Sequence, residues 1–412
     1  MYYSRSVYFI PVWFDRYEQF VGKFSKSDRW ELVPSEKYAP RYLLNYVTRI
    51  ANDKSLMQMF SLNDIESLNV YMYEDELKYE IPPEITEVRF SCFATGVGFI
   101  EFWVDYKGWT PEEISNFAYL FKKAAKKRTE DIPESKQRLY DAALSLLPQK
   151  SNASVFFSCT TPFKYECNCF HFMHLEGTAK DENTAQRRLE LLRRSYHTEF
   201  TQSADSEYDM AYCPYEYDQW GGSPEGLVNI NYDSGNESAD YFMQNYKVSH
   251  LSVDYYFLYL ILLNQKFSAI QYILMISEMY DGKNSDIEKL NARIVRLKTV
   301  FSFEVISDDQ IYQNVYSKMF KILNIEQLLT DIRDNESQME MIRNADSVKA
   351  DKMSSKFLFG ISVLSLFSAL IDAATYFDRI SWLKPISTWL GLGCTLVVVA
   401  ICIFWLIRSR NK

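Results

Sequence analysis

Histidine is rare in this chain, four among 412 residues. No Walker-type phosphate loop, no G-x-S-x-G and no H-E-x-x-H motif occurs, so the usual phosphate-cradling, acyl-transfer and zinc-hydrolase signatures are missing. With no convincing nucleophile and base pair, the expectation is a protein that is not an enzyme. Cationic excess is also absent. The net charge is −9, and a general nucleic-acid binder carries a basic face, so nucleic acid is not an expected partner. The seven cysteines are odd in number and scattered, with Cys394 and Cys402 inside the last apolar run. No disulfide framework follows, which suits a reduced cytosolic compartment. The first twenty residues do not read as a secretory signal, because the short apolar run after Arg5 is broken by Pro11 and Asp15. There is no internal repeat and no low-complexity run.

Aromatic residues, by contrast, make up 16% of the chain, 30 of them tyrosine, so many rings must occupy partly wet surfaces. The first 250 residues carry mixed α and β signals. The β-rich runs 88–93 and 97–105 flank Ala94-Thr95-Gly96, a hairpin turn. Thr110-Pro111-Glu112-Glu113 combines an N-cap threonine, a first-turn proline and a capping glutamate, and predicts a helix to about Lys127. Further strands are expected over 154–159 and 163–175, a basic helix over 184–197, and a long polar loop over 203–237.

Downstream the chain reads as helical. Residues 251–280 are rich in Leu, Ile and Tyr. Ile287, Leu290, Ile294, Leu297 and Phe301 then form an a/d stripe, and Ile322, Ile325, Leu329 and Ile332 repeat the spacing. With no Pro or Gly from Ile311 to Gly360, one long helix is expected to run on into the next segment.

Residues 357–377 read FLFGISVLSLFSALIDAATYF, about 31 Å of helix and enough to cross a hydrocarbon core. Residues 386–407 form a second run with no charge, after a turn at 378–385. Lys and Arg cluster before the first run (Arg343, Lys349, Lys352, Lys356) and after the second (Arg408, Arg410, Lys412). Positive-inside bias therefore places both termini in the cytoplasm of an inner-membrane protein whose partner is the lipid bilayer. Ser362, Ser365, Ser368, Asp372 and Thr375 share one helical face. A carboxylate deep in lipid costs roughly 2.5–3.5 kcal/mol, so such a face turns toward protein or water. A homo-oligomer would line a pore with Ser362, Ser365, Ala369 and Asp372. Alternatively Asp372 marks the headgroup region and the helix starts earlier, near Met353.

The expected fold class is an α+β cytoplasmic domain (1–250), a helical stalk (251–356) and a two-helix transmembrane hairpin with a basic tail (357–412). Three constellations within the domain invite a ligand. Cys167, Cys169 and His171 alternate along a strand, with His174 beyond. Their spacing matches no usual zinc site, and the expected reading is buried thiols, with no metal and no cofactor. Arg187 and Arg194 share a face of the basic helix, which suits either a phosphate or solvent. Tyr217 and Trp220, beside Gly221-Gly222, suit either base stacking or loop packing.

From 251 to 412 this order of parts resembles the CorA-type two-span proteins. The resemblance implies a pentamer with first spans around the pore. The Gly-Met-Asn of that family is missing, and Tyr376-Phe377-Asp378 stands in its place. The long soluble part is more similar to the divergent CorA-type membrane effectors of type III CRISPR systems, whose cytoplasmic domain senses a nucleotide messenger, SAM-AMP. This resemblance implies a ligand-gated antiviral channel. A divalent-cation transporter of CorA or ZntB type and a membrane-tethered sensor without a pore are the alternatives.

Overall fold

A computed structural model describes residues 2–66, 68, 70, 82–124, 137, 139–148, 153–155, 167–179, 182–199, 209–278 and 284–337. The two apolar runs at 357–377 and 386–407, with Ser362, Ser365, Ala369 and Asp372, lie outside the described residues. The chain divides into two compact units, Met1–Arg333 and Asp334–Lys412.

The first unit is built on one sheet. Its strands are β1 (Tyr3–Phe14), β2 (Trp30–Leu32), β3 (Met57–Leu62), β4 (Glu84–Phe93), β5 (Val97–Asp105), β6 (Ala153–Val155), β7 (Asn168–Leu175), β8 (Met210–Tyr215), β9 (Asp218–Ser223) and β10 (Gly226–Tyr232). Its helices are α1 (Tyr17–Phe24), α2 (Asn45–Asn52), α3 (Pro111–Ala124), α4 (Leu139–Leu146), α5 (Glu182–Arg194), α6 (Glu237–Asn245), α7 (Lys247–His250), α8 (Tyr256–Glu278), α9 (Asn284–Val300) and α10 (Gln310–Ile322). Strand order is β2-β3-β4-β5-β1-β7-β10-β9-β8, with β6 pairing β1 beyond the end of β7. All pairs are antiparallel except β7 with β10.

The β4–β5 hairpin turns where expected, and Gly96 supplies the positive φ of +93° that an L side chain resists. At the start of α3, the Thr110 N–H donates to Glu113 Oε2 at 2.7 Å. The Glu113 N–H returns a bond to Thr110 Oγ1 at 3.3 Å, the reciprocal cap its sequence predicts.

Alternation along the strands makes two apolar faces. On one, Tyr8, Ile10, Ile100, Phe102, Phe90, Met173 and Val228 pack against Phe20 and Phe24 of α1, Phe117 and Phe121 of α3, and Leu189 and Leu192 of α5. The other face, with Phe9, Phe99 and Trp103, takes α8: Tyr256 stacks on Phe9 at 6.0 Å, and Phe267 meets Phe99 edge-on at 5.9 Å. Each such ring, fully buried, contributes roughly 1.5–3 kcal/mol.

The helical stretch Lys247–Ile276 is long and apolar enough to span a bilayer, yet 78% of its most apolar window is buried inside the domain. A helix that is apolar all round suits such burial. Leu290, Ile294 and Leu297 of α9 and Phe301 just past its end, read from the sequence as a stalk stripe, are likewise buried, with Phe301 against Phe93 at 6.0 Å. The uninterrupted helix expected from Ile311 is broken. α10 stops at Ile322, Asn324 adopts a left-handed φ of +53°, and helix resumes over 325–337. Asparagine tolerates that conformation better than other non-glycine residues.

Candidate functional site

The structure does not gather the four sequence-picked ligand residues. Trp220 is wholly buried, its ring 4.4 Å from that of Tyr255, with the Lys247 ammonium 5.4 Å away. It is a core residue and offers no open face to a base. Tyr217 stacks on Tyr215 at 5.3 Å. Arg187 is exposed on α5. Gly221 and Gly222 admit helices rather than a ligand. A Cβ on Gly221 would press on Val228 and Leu189, and one on Gly222 would collide with the Met319 sulfur. Successive strand residues face opposite ways, so α5 and α10 clamp β9 from opposite sides.

The Cys/His stretch forms a buried hydrogen-bonded chain. Ser6 Oγ and His171 Nδ1 lie 2.5 Å apart, His171 Nε2 and Ser195 Oγ 3.2 Å, and Ser195 Oγ and Cys169 Sγ 3.0 Å. Burial, aided by the charge of Lys122, pulls the His171 pKa down to about 3 and keeps the ring neutral. Ser195, at φ +51°, closes α5 and holds both partners from a left-handed backbone.

Arg194 leads to the most promising site. It pairs with Asp209, just before β8, and Arg193 joins the same Asp209 oxygen at 3.0 Å. Arg193 also donates to the Met210 carbonyl at 3.3 Å. Asp209, Met210 and Ala211 form one wall of a cavity of about 360 Å³; Lys318, Lys321 and Ile322 of α10, with Asn324, form the other. That volume lies at the small end of ligand pockets.

The α10 wall is set by helical spacing. Val315, Met319 and Ile322 bury one stripe, while Asn314, Lys318 and Lys321 lie together on a polar one. Asn314 Nδ2 donates to Tyr212 OH at 3.0 Å, and the Lys318 ammonium lies 5.7 Å from the Tyr212 ring. Neither Lys318 nor Lys321 has a carboxylate within ion-pair distance among the described residues. Lys318 and Lys321 thus share the cavity lining with Asp209, whose carboxylate is already engaged by Arg193 and Arg194, and this excess of positive charge favours an anionic guest. Of this site, sequence reasoning had Arg194. Lys318 and Lys321 were concealed inside an ordinary solvated helix pattern, and their partner β8 lies where a loop was expected.

No protein-family model matches the chain, and no curated protein matches it either.

Proposed function

We propose that this chain is a homo-oligomeric, CorA-like membrane channel or effector whose cytoplasmic domain takes a small nucleotide-type ligand in the cavity between β8 and α10. One observation carries the reading. The last turn of α10 and the left-handed Asn324 form a wall of the cavity, and the chain continues from there toward the apolar runs at 357–377 and 386–407. A guest that favours one arrangement of this wall shifts the equilibrium of the segment beyond it. A guest indifferent to the wall shifts nothing. In this reading the pore is lined by Ser362, Ser365, Ala369 and Asp372. The messenger of the similar CRISPR-associated effectors, SAM-AMP, is the first ligand to try.

The test is conductance of the purified full chain in planar bilayers, with and without SAM-AMP and other adenine nucleotides, beside its mass in mild detergent. Nucleotide-dependent cation current from an oligomer, altered in selectivity by Asp372→Asn and weakened by Lys318→Ala/Lys321→Ala, is expected. A monomer, or a current indifferent to all three changes, overturns the reading.

A further inference from the structure

Asp209 and the two arginines around it are imperfectly matched. At two other buried or half-buried places in this chain arginine meets carboxylate fork to fork: Arg89 Nε and Nη2 each take one Glu87 oxygen at 2.6 Å, and Arg5 engages both oxygens of Asp105. At the cavity, by contrast, Arg193 and Arg194 converge on one oxygen, Asp209 Oδ2. Asp209 Oδ1 and Arg193 Nε are both buried and have no hydrogen-bond partner among the described residues. The Asp209 side chain is 3% exposed and that of Arg193 7%. A buried group left unsatisfied in this way destabilises the empty domain. A carboxylate has two oxygens in one plane. A phosphate group sets its oxygens tetrahedrally about phosphorus, in different directions, and can answer two guanidinium groups at once.

We propose that Asp209 is a resident counter-ion, holding Arg193 and Arg194 in the empty domain, and that the guest of this cavity carries a phosphate group that takes its place. The inference rests on reading the cavity as the ligand site. On this account, Lys318 and Lys321 neutralise the charge that the guest adds across the cavity. Asp209 directly precedes edge strand β8, so its release frees the start of that strand from the end of α5. Phosphate would thereby loosen one wall of the cavity while drawing the other, α10, inward.

The test is calorimetric titration of the full chain in detergent with pyrophosphate, with ATP and with glycerophosphoglycerol, the last being a lipid headgroup without its tails. Saturable binding of any one supports the phosphate chemistry. Preference for the first two marks a soluble guest, and preference for the third marks a lipid. Asp209→Asn removes the competing charge and should tighten the preferred probe about tenfold, a gain of about 1.4 kcal/mol. It should also lower the melting temperature, with the loss restored by the probe. Lys318→Ala/Lys321→Ala changes exposed residues and should weaken binding by a similar factor with little change in melting temperature. Absence of saturable binding, or weaker binding by Asp209→Asn in a folded protein, overturns the inference. Probe binding without any change in bilayer conductance would instead sink the channel reading and leave this one standing. Nucleotide-gated current insensitive to Asp209→Asn and to both lysines would do the reverse.

Discussion

Met319 of α10 rests directly on Gly222 of β9, leaving no room for even a methyl group on the strand. The absence of a side chain at Gly222 lets α10 reach the sheet and brings Lys318 and Lys321 level with β8. Gly222→Ala should therefore push α10 outward. Overpacking of this kind costs about 1–3 kcal/mol, and the expected readout is a melting temperature lower by several degrees. Weaker pyrophosphate binding should accompany it. A variant as stable as the parent would show that the contact can relax.

Asn324 should prove sensitive to shape rather than to polarity. Asn324→Gly keeps the left-handed backbone accessible and should be nearly neutral. Asn324→Val, β-branched at a positive φ, should cost about 1–2 kcal/mol in thermal or urea unfolding. Equal effects of the two changes would rule out the backbone argument.

Two buried groups give opposite pH slopes. Burial lifts the Glu101 pKa to about 7, against hydrogen bonds from Ser91 and Tyr256 and the charge of Arg89. Because the folded state holds this proton more tightly than the unfolded chain, stability contributed here falls as pH rises from about 4.5 to about 7. His171 behaves in reverse. Its pKa is lowered, so the unfolded chain takes the proton first, and stability falls as pH drops from about 6.5 to about 3. Between pH 4.5 and 6.5 the slopes oppose each other. Urea unfolding of Glu101→Gln should leave only the acid-side loss, and that of His171→Gln only the loss toward neutral pH.

Lys247 and Asp218 form a buried pair at 2.7 Å, their side chains 6% and 1% exposed, with Asn229 donating to the same carboxylate. Lys247→Met strands the negative charge and should cost about 3–5 kcal/mol in chemical denaturation. Adding Asp218→Asn should recover part of that loss. No recovery would mean that the lysine stem, packed near Trp220 and Tyr255, matters more than its charge.

That same pair explains what the sequence concealed. The hairpin at Gly96 and the cap at Thr110 were readable because each is a local device: a positive φ, or a reciprocal hydrogen bond three residues long. Residues 210–232 read as a polar loop yet form β8, β9 and β10, because Asp218, Asn229 and Asn231 are polar and buried. Their alternation is satisfied by hydrogen bonds, where the hydropathy pattern registers only greasy residues: Asn231 Nδ2 donates to Tyr3 OH at 3.0 Å, and Lys247 answers Asp218. Helix α8 carried a continuous apolar run and α9 clear apolar spacing, but neither says whether the partner is another copy or the chain's own sheet. The cavity was the least legible part. Its walls are far apart in sequence, and its lysines look like any exposed pair.

The position of β1 has a consequence for the order of events at the ribosome. Arg5 lies opposite Asp105 on one side and Phe172 on the other, and β7 in turn needs β10. The first strand made must wait, exposed, for neighbours translated much later. Contacts this distant along the chain form slowly. The sheet closes only after Tyr232 has emerged, so chains stalled before that point should be soft targets for chaperones and proteases, whereas those released beyond it should not.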